Sequence, residues 1–173
     1  DKIMCGIVGG VAERCVTDIL IEGLKRLEYR GYDSAGLALL NNQQILRERR
    51  VGKVANLAEA ASEQHLTGNV GIAHTRWATH GKPTENNAHP HVSGDVAVVH
   101  NGIIENYQEL KDELQALGYI FTSQTDTEVV AHLVNDALKQ TDSLLEAVQK
   151  VIPRLKGAFA LGIVHTAHPD ELI

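Results

Sequence analysis

The order of predicted strands and helices limits the fold of this chain more than any other feature of its sequence. Apolar segments with strand character lie at 6–12, 35–40, 70–75, 96–100 and 158–165, with amphipathic helices between or after them. The early strands include a hairpin, whereas the late helices follow one another directly. Because this order lacks the regular alternation that builds a parallel sheet, it predicts a layered α+β sandwich.

Turn and capping residues predict where these elements begin and end. Asn41 and Asn42 separate two strand segments and predict a hairpin turn. The polar stretch 77–95 is long for a loop inside a domain, which is typical of a functional segment. A short strand is expected at 119–122, and another strand near the last residues. Helices are expected at 16–29, 53–63, 105–117, 125–139 and 143–155, the last two opened by capping-box patterns.

Composition and charge exclude several classes of protein. The chain has 173 residues, 43% apolar content and a formal charge of -6, which argues against a nucleic-acid-binding surface. The one basic run, 47–50, is predicted to be a solvated edge of a strand. Two cysteines are too few for a disulfide framework, and no apolar run reaches the length of a membrane span. These features predict a cytoplasmic protein that contacts neither nucleic acid nor membrane.

Cys5 is the first candidate for chemistry, because a thiolate is a good nucleophile. Near a chain terminus a thiol has an available base in its own α-amino group, whose ordinary pKa of about 8 leaves it partly neutral. The alternative interpretation is a small buried hydrophobe, as for most free cysteines. For Cys15 that buried, inert interpretation is the prediction.

Five other residues carry groups that a nucleophilic site needs. Asn101 and Gly102 follow an apolar strand and predict either an oxyanion hole or an ordinary turn. Arg76, at the end of another strand, can grip a carboxylate through two hydrogen bonds. Asp126 suits an ammonium group, although it also suits a helix cap. Arg30 is either part of the site or a charge at the end of a helix.

A group of histidines raises the alternative of a metal site. His74, His80, His89, His91 and His100 lie within one short stretch of the chain. Their spacing does not match a compact zinc motif, and no second cluster of cysteines or carboxylates accompanies them. Neutral histidines that hydrogen-bond the neighbouring loop are therefore the preferred interpretation, and no metal or other cofactor is predicted.

Several motifs together resemble one enzyme family. The segments at 4–9, 27–36, 74–81, 100–102 and 123–128 are similar to those of the class II, N-terminal-nucleophile glutamine amidotransferases, in the same order. The resemblance extends from Met4 to the last residue. Within the family it favours the branch whose acceptor is fructose 6-phosphate over the branch that acts on phosphoribosyl pyrophosphate. It implies a four-layer α/β/β/α sandwich and hydrolysis of the L-glutamine side-chain amide.

The resemblance also implies a role for individual residues. Cys5 is the nucleophile with its free amine as base, and Arg30 supports its surroundings. Arg76 holds the α-carboxylate of glutamine, and Trp77 gates the exit of ammonia. Asn101 and Gly102 form the oxyanion hole. Thr79, with the main chain around Trp77 and His80, helps to bind the α-carboxylate. Asp126 and Gly102 bind the α-amino group.

The ends of the chain carry a separate expectation. Residues 1–4 are expected to be a tag remnant or an unprocessed leader that includes the start Met, and 5–173 a glutaminase domain without its last part. While residues 1–4 remain, the Cys5 nitrogen is an amide, and the chain is expected to be inactive. The whole protein is expected to bind fructose 6-phosphate through a further isomerase domain and to form a homodimer. The competing hypothesis is a domain that binds an amino acid without catalysis.

Overall fold

The computed structural model of the chain describes residues 4–78 and 81–173. Within these residues, seven β-strands and five α-helices follow one another. The strands are β1 (Gly6–Val11), β2 (Ser34–Asn41), β3 (Gln44–Val51), β4 (Val70–Arg76), β5 (His91–Ser93), β6 (Val96–Ile104) and β7 (Gly157–His165). The helices are α1 (Thr17–Leu27), α2 (Val54–Glu63), α3 (Tyr107–Ala116), α4 (Thr127–Ala137) and α5 (Leu144–Val151).

The strands form two antiparallel sheets. The first sheet has the order β1-β4-β2-β3, and the second has the order β5-β6-β7. In the first sheet Gly6 lies opposite Thr75, so the start of β1 meets the end of β4. In the second sheet Asn101 lies opposite Ala160, well inside the pairing of β6 with β7. This register brings the residues next to Cys5 and Arg76 to one end of the first sheet.

Three apolar clusters separate four layers, which confirms the α/β/β/α sandwich. Leu20 and Leu24 of α1 pack with α2 residues against the outer face of the first sheet. Ile72 of the first sheet and Val99 of the second belong to a cluster between the sheets. Helices α3, α4 and α5 cover the other face of the second sheet, where Leu144 is fully buried. Burial of this apolar area is the main term that stabilises the layers.

Most predicted elements are present, with several local corrections, of which one is that β5 lies within the stretch 77–95 predicted to be a loop. The hairpin turn consists of Asn42 and Gln43, both with positive φ (49° and 63°), so its prediction was one residue early. The strand predicted at 119–122 is wrong, because this segment is irregular. Its end is held instead by the Glu128 carboxylate, which accepts main-chain N–H groups of residues 122 and 123. Near the last residues, where a strand was expected, residues 163 and 173 exchange two main-chain hydrogen bonds, but the segment is not assigned as a strand.

The two capping-box predictions have different outcomes. At α5 the Ser143 hydroxyl accepts the N–H of Glu146 at 3.2 Å, as predicted. At α4 the prediction was wrong, because Asp126 occupies the cap position without a side-chain capping bond. Its carboxylate accepts the N–H of Ile104 from β6 instead. The local pattern placed the helix start correctly, but a tertiary contact took the carboxylate.

The basic run on β3 is only partly a solvated edge. The guanidinium of Arg49 donates to the carbonyl oxygens of Asn86 and Ala88, at 3.1 and 3.3 Å. Partial burial lowers its pKa to about 10. The chain around His89 also lies directly on β2, where a Cβ on Gly36 would stand 1.9 Å from the His89 carbonyl oxygen. The loop that follows Arg76 is therefore anchored across the edge of the first sheet.

Candidate active site

Cys5 stands at the end of the first sheet, immediately before β1. Its sulfur accepts the main-chain N–H of Trp77, which follows β4, at 3.2 Å. The side chain is half-buried, and this burial raises the pKa of the Cys5 thiol. The Trp77 N–H and the positive charge of Arg76 act in the opposite direction, since both stabilise a thiolate. The sulfur thus lies at the junction of two paired strands, with donors directed at it.

Asn101 connects the second sheet to Cys5. Its side-chain amide nitrogen donates to the carbonyl oxygen of Cys5 at 3.0 Å. Because β6 continues to Ile104, Asn101 and Gly102 lie inside a strand, and the interpretation as an ordinary turn was wrong. Gly102 has φ of 111°, and a Cβ there would approach the Ala158 carbonyl oxygen to 2.1 Å. This position therefore requires glycine.

Arg76 is a buried cation, with only 3% of its surface exposed. Its guanidinium donates to the carbonyl oxygens of Gly81 and Lys82, at 3.3 and 3.1 Å. Burial lowers the pKa of Arg76, and the negative charge of Asp33 acts in the opposite direction. The guanidinium thus fixes the chain that follows it while carrying positive charge into the site.

Asp126, immediately before α4, is a buried anion. It is 4% exposed, and one carboxylate oxygen accepts the N–H of Ile104 at 2.8 Å. The other oxygen lies 3.9 Å from Nδ1 of His100. A carboxylate with one oxygen held by the main chain has lone pairs left for a further donor.

These groups converge on one narrow cleft between the sheets. Its free volume is about 10 Å³. The cleft is lined by Cys5, Arg76, Trp77, His89, His100, Gly102, Thr125, Asp126 and Thr127. A nucleophile, a cation and an anion therefore share one narrow cleft.

The buried histidines beside the cleft form hydrogen bonds within the protein. The Thr127 hydroxyl contacts Nε2 of His89 at 2.6 Å and Nδ1 of His100 at 2.8 Å. Burial lowers the pKa of His74 and of His91 to about 3, so both are neutral near pH 7. Among the described residues, no group of three or more histidine, cysteine or acidic side chains is placed to hold a metal ion.

Other predicted residues lie at the margin of the cleft or outside the described chain. Arg30 does not line the cleft; its Nε donates to the Tyr29 hydroxyl at 3.1 Å. The Trp77 side chain is 41% exposed at the mouth, where a ring atom lies near Gly31. The predictions for Thr79 and His80 fall outside the described residues.

Sequence reasoning gave no role to Asp33, which organises the chain around Trp77. One carboxylate oxygen of Asp33 accepts the N–H of Ala78 at 2.5 Å, and its own N–H donates to the Arg76 carbonyl at 2.7 Å. The available signal was its position between a glycine turn and a buried strand. Thr127 was also missed, since a threonine at a helix start has an ordinary structural explanation.

Cys15 is not the buried hydrophobe that was predicted. It is exposed, and its sulfur lies 3.3 Å from the hydroxyl of Thr17. That hydrogen bond lowers the pKa of the Cys15 thiol. Cys15 lines a second and larger cleft, of about 1050 Å³, at the other end of the strands. The error arose because the prediction rested on the general tendency of free cysteines to be buried, whereas Cys15 lies in the exposed loop before α1.

Comparison with known proteins identifies the family. Residues 74–173, more than half of the chain, match the family described as "Glutamine amidotransferase domain". The chain belongs to this glutamine amidotransferase family. As an amidotransferase domain it combines the predicted fold with a cleft in which cysteine, arginine and aspartate meet.

Curated relatives of this amidotransferase domain are considerably longer. It is 78% identical over 170 residues to glutamine–fructose-6-phosphate aminotransferase (isomerizing) of Acinetobacter baylyi, covering 98% of this chain and 28% of that protein. It is 61% identical over 171 residues to the protein of the same name from Escherichia coli, with the same coverage. The chain therefore spans about 28% of the length of these relatives.

A solved structure confirms the fold of the amidotransferase domain. The glutamine phosphoribosylpyrophosphate amidotransferase of B. subtilis superposes with a TM-score of 0.75 at 27% identity, covering 94% of this chain and 35% of that one. Identity to the aminotransferases is thus more than twice as high as to this enzyme. Among the described residues, no helix combines the length and apolar character needed to cross a membrane.

Proposed function

We propose that this domain hydrolyses the side-chain amide of L-glutamine in two steps, with Cys5 as the nucleophile. The sulfur attacks the amide carbon, and the thiol proton passes through the base to the departing nitrogen, which leaves as ammonia. The product of this step is a γ-glutamyl thioester on Cys5. Water then attacks the thioester, releasing glutamate and returning the proton to sulfur.

The observation that carries this proposal is the placement of opposite charges beside one sulfur. Arg76 and Asp126 line the same cleft as Cys5. A guanidinium binds the α-carboxylate of an amino acid, and a buried carboxylate binds its α-ammonium group. A glutamine held at both charges can direct only its side chain toward the sulfur. We assign α-amino binding also to Gly102, through its carbonyl oxygen.

The oxyanion of each tetrahedral intermediate is assigned to Asn101 and Gly102. The Asn101 amide nitrogen is one hydrogen bond from the Cys5 carbonyl, on the strand that carries the Gly102 N–H. Donors fixed on a strand need no reorganisation when negative charge develops. A neutral environment of buried histidines strengthens that interaction, because little water screens it.

The base is assigned to the α-amino group of Cys5. In the sequence as given, Met4 acylates that nitrogen, and an amide is not basic. Removal of residues 1–4 would free an amine with an ordinary pKa of about 8, directly attached to the nucleophile's residue. We propose that the active form begins at Cys5.

Three further assignments come from the family resemblance. Thr79, with the main chain of Trp77 and His80, assists Arg76 at the α-carboxylate, and Trp77 controls the exit of ammonia. Arg30 supports the surroundings of the nucleophile.

For the whole protein we propose transfer of the ammonia to fructose 6-phosphate, giving glucosamine 6-phosphate. The support is the name of relatives that are 78% and 61% identical over this domain. Their remaining length has room for a sugar-phosphate isomerase domain. A cytoplasmic homodimer is the proposed form of that protein.

Covalent trapping tests the reaction directly. The full-length protein beginning at Cys5 is treated with a glutamine analogue that carries an electrophilic ketone in place of the amide. We expect one adduct per chain, located at Cys5 by peptide mass spectrometry, with loss of glutaminase activity. Cys15→Ala serves as the matched control and should be labelled normally. Reversible binding without an adduct would support the competing hypothesis of a domain that only binds an amino acid.

A further inference from the structure

His74 lies behind the oxyanion residue, without lining the cleft. It is fully buried on β4, and its Nε2 is 2.9 Å from Oδ1 of Asn101 and 2.8 Å from the carbonyl oxygen of His100. The residues that line the cleft do not include it. Any effect of His74 on the reaction must therefore act through another residue.

The two contacts of Nε2 determine which nitrogen of His74 carries its proton. A main-chain carbonyl oxygen only accepts hydrogen bonds, so Nε2 has to be the donor toward His100. Its Nδ1 is buried and has no hydrogen-bond partner among the described residues, as expected for an unprotonated ring nitrogen. The His74 ring packs on the ring of His89, with centroids 4.1 Å apart.

The protonation of His74 in turn fixes the side-chain amide of Asn101. Because Nε2–H also points at Oδ1 of Asn101, that atom has to be the amide oxygen. The amide nitrogen must then face Cys5, where it donates to the carbonyl oxygen at 3.0 Å. A flipped amide would place donor against donor at His74 and oxygen against oxygen at Cys5. Each unmade bond of this kind in a buried site is costly.

We infer that His74 is a positioning residue for glutamine hydrolysis: it holds the Asn101 amide so that its N–H groups face the nucleophile. This inference depends on the proposed function, in which Asn101 donates to the oxyanion. One amide hydrogen is occupied by the Cys5 carbonyl, and the second is left for the developing negative charge. The orientation is set by a neutral donor, so no extra charge is placed near the thiol.

Two substitutions at His74 differ only in reach. In His74→Gln the terminal amide nitrogen extends about as far as Nε2, whereas in His74→Asn it is one carbon short. In full-length protein beginning at Cys5, we expect His74→Asn to lower kcat about tenfold or more, up to the 100- to 1000-fold loss expected for Asn101→Ala. His74→Gln should restore most of that rate. KM for glutamine should change little, because His74 does not line the cleft.

A double-mutant cycle separates positioning from a general loss of packing. If His74 acts through Asn101, His74→Asn should cause no further loss of kcat in the Asn101→Ala background. His91→Asn is the matched control: it is an equally buried histidine that bonds Thr125 rather than Asn101, and kcat should stay near that of the unmodified protein. The inference would be overturned if His74→Asn lowered kcat equally in both backgrounds, or if His74→Gln had as low a kcat as His74→Asn.

The unmodified protein provides a test that does not depend on a variant folding. Two-bond ¹⁵N–¹H NMR correlations of His74 should show a proton on Nε2 and none on Nδ1 near pH 7. The opposite tautomer would overturn the inference. If Asn101→Ala itself kept full glutaminase activity, the proposed role of Asn101 would fail instead, whichever tautomer is found.

Discussion

Both ends of the strands carry a cysteine beside a cleft, but the two cysteines differ in every other respect. Cys5 is half-buried, receives a main-chain N–H and lies beside Arg76, and burial raises its thiol pKa. Cys15 is exposed in the large distal cleft, and the Thr17 hydroxyl lowers its thiol pKa. The thiol with the lower pKa thus lies in a cleft whose described lining residues include no arginine or lysine. A low thiol pKa alone does not make a site, whereas a thiol that shares a cleft with a buried cation and a buried anion can act on a charged substrate.

The largest contrast is expected when each cysteine is removed. In protein beginning at Cys5, Cys5→Ala should reduce glutamine hydrolysis by about 1000-fold or more, because the covalent intermediate can no longer form. Cys15→Ala should leave the rate unchanged. Glutamate release in a coupled assay measures both. Similar rates for the two variants would remove the distinction between the clefts.

A glycine at each end of β6 tests the same contrast in the backbone. Gly102→Ala forces a Cβ toward the Ala158 carbonyl at 2.1 Å, which displaces an oxyanion donor, and should lower kcat by about 100-fold or more. Gly94→Ala, in the distal turn before β6, also has positive φ, but its Cβ meets only the Asn135 side chain, at 3.0 Å. It should cost about 1–2 kcal/mol in the free energy of unfolding, with kcat retained.

Gly94 and Gly102 must be compared in both stability and rate. Steady-state kinetics should show a loss of kcat in Gly102→Ala only. Thermal unfolding should show whether Gly94→Ala is destabilised. If Gly94→Ala lost as much activity as Gly102→Ala, the strand would be transmitting a general distortion rather than a local one.

Alkylation should be faster at Cys15 than at Cys5, although only Cys5 is proposed to act in catalysis. With residues 1–4 present, iodoacetamide near pH 8 should modify Cys15 roughly tenfold faster than Cys5, because reaction requires an accessible thiolate. The lowered pKa of Cys15 increases its thiolate fraction, and the raised pKa of Cys5 decreases it. Peptide mass spectrometry over a time course gives both rates. Faster modification of Cys5 would contradict the pKa order.

The last prediction concerns acid stability and the buried His91. The pKa of His91 is about 3 in the folded chain, below its ordinary 6.5, so the unfolded chain binds more protons between these values. Stability should therefore fall as pH drops from 6.5 toward 3. In His91→Gln this slope should decrease by up to about 1.4 kcal/mol per pH unit, the contribution of one proton. Urea unfolding at several pH values measures it, and an unchanged slope would contradict a neutral His91.

The sequence pattern predicted a layered sandwich and several residues of the candidate site. Periodicity located the strands and helices, because side-chain burial repeats every two residues on a strand and about every 3.6 on a helix. Residue chemistry singled out Cys5, Arg76 and Asp126, which line one cleft. The hairpin and the start of α5 were likewise readable from local patterns, whereas strand β5 lies within the stretch that was predicted to be a loop.

Only the tertiary structure decided how those residues are used. Asp126 carries a helix-cap pattern but bonds Ile104, and Cys15 was predicted to be buried from its residue type but is exposed. The direction of the Asn101 amide depends on His74, 27 residues away along the chain. Local patterns encode which group a residue carries and which element it joins. The partner of a buried polar group is set by chain segments that meet only when the two sheets pack, because that group must find its hydrogen bond wherever packing has excluded water.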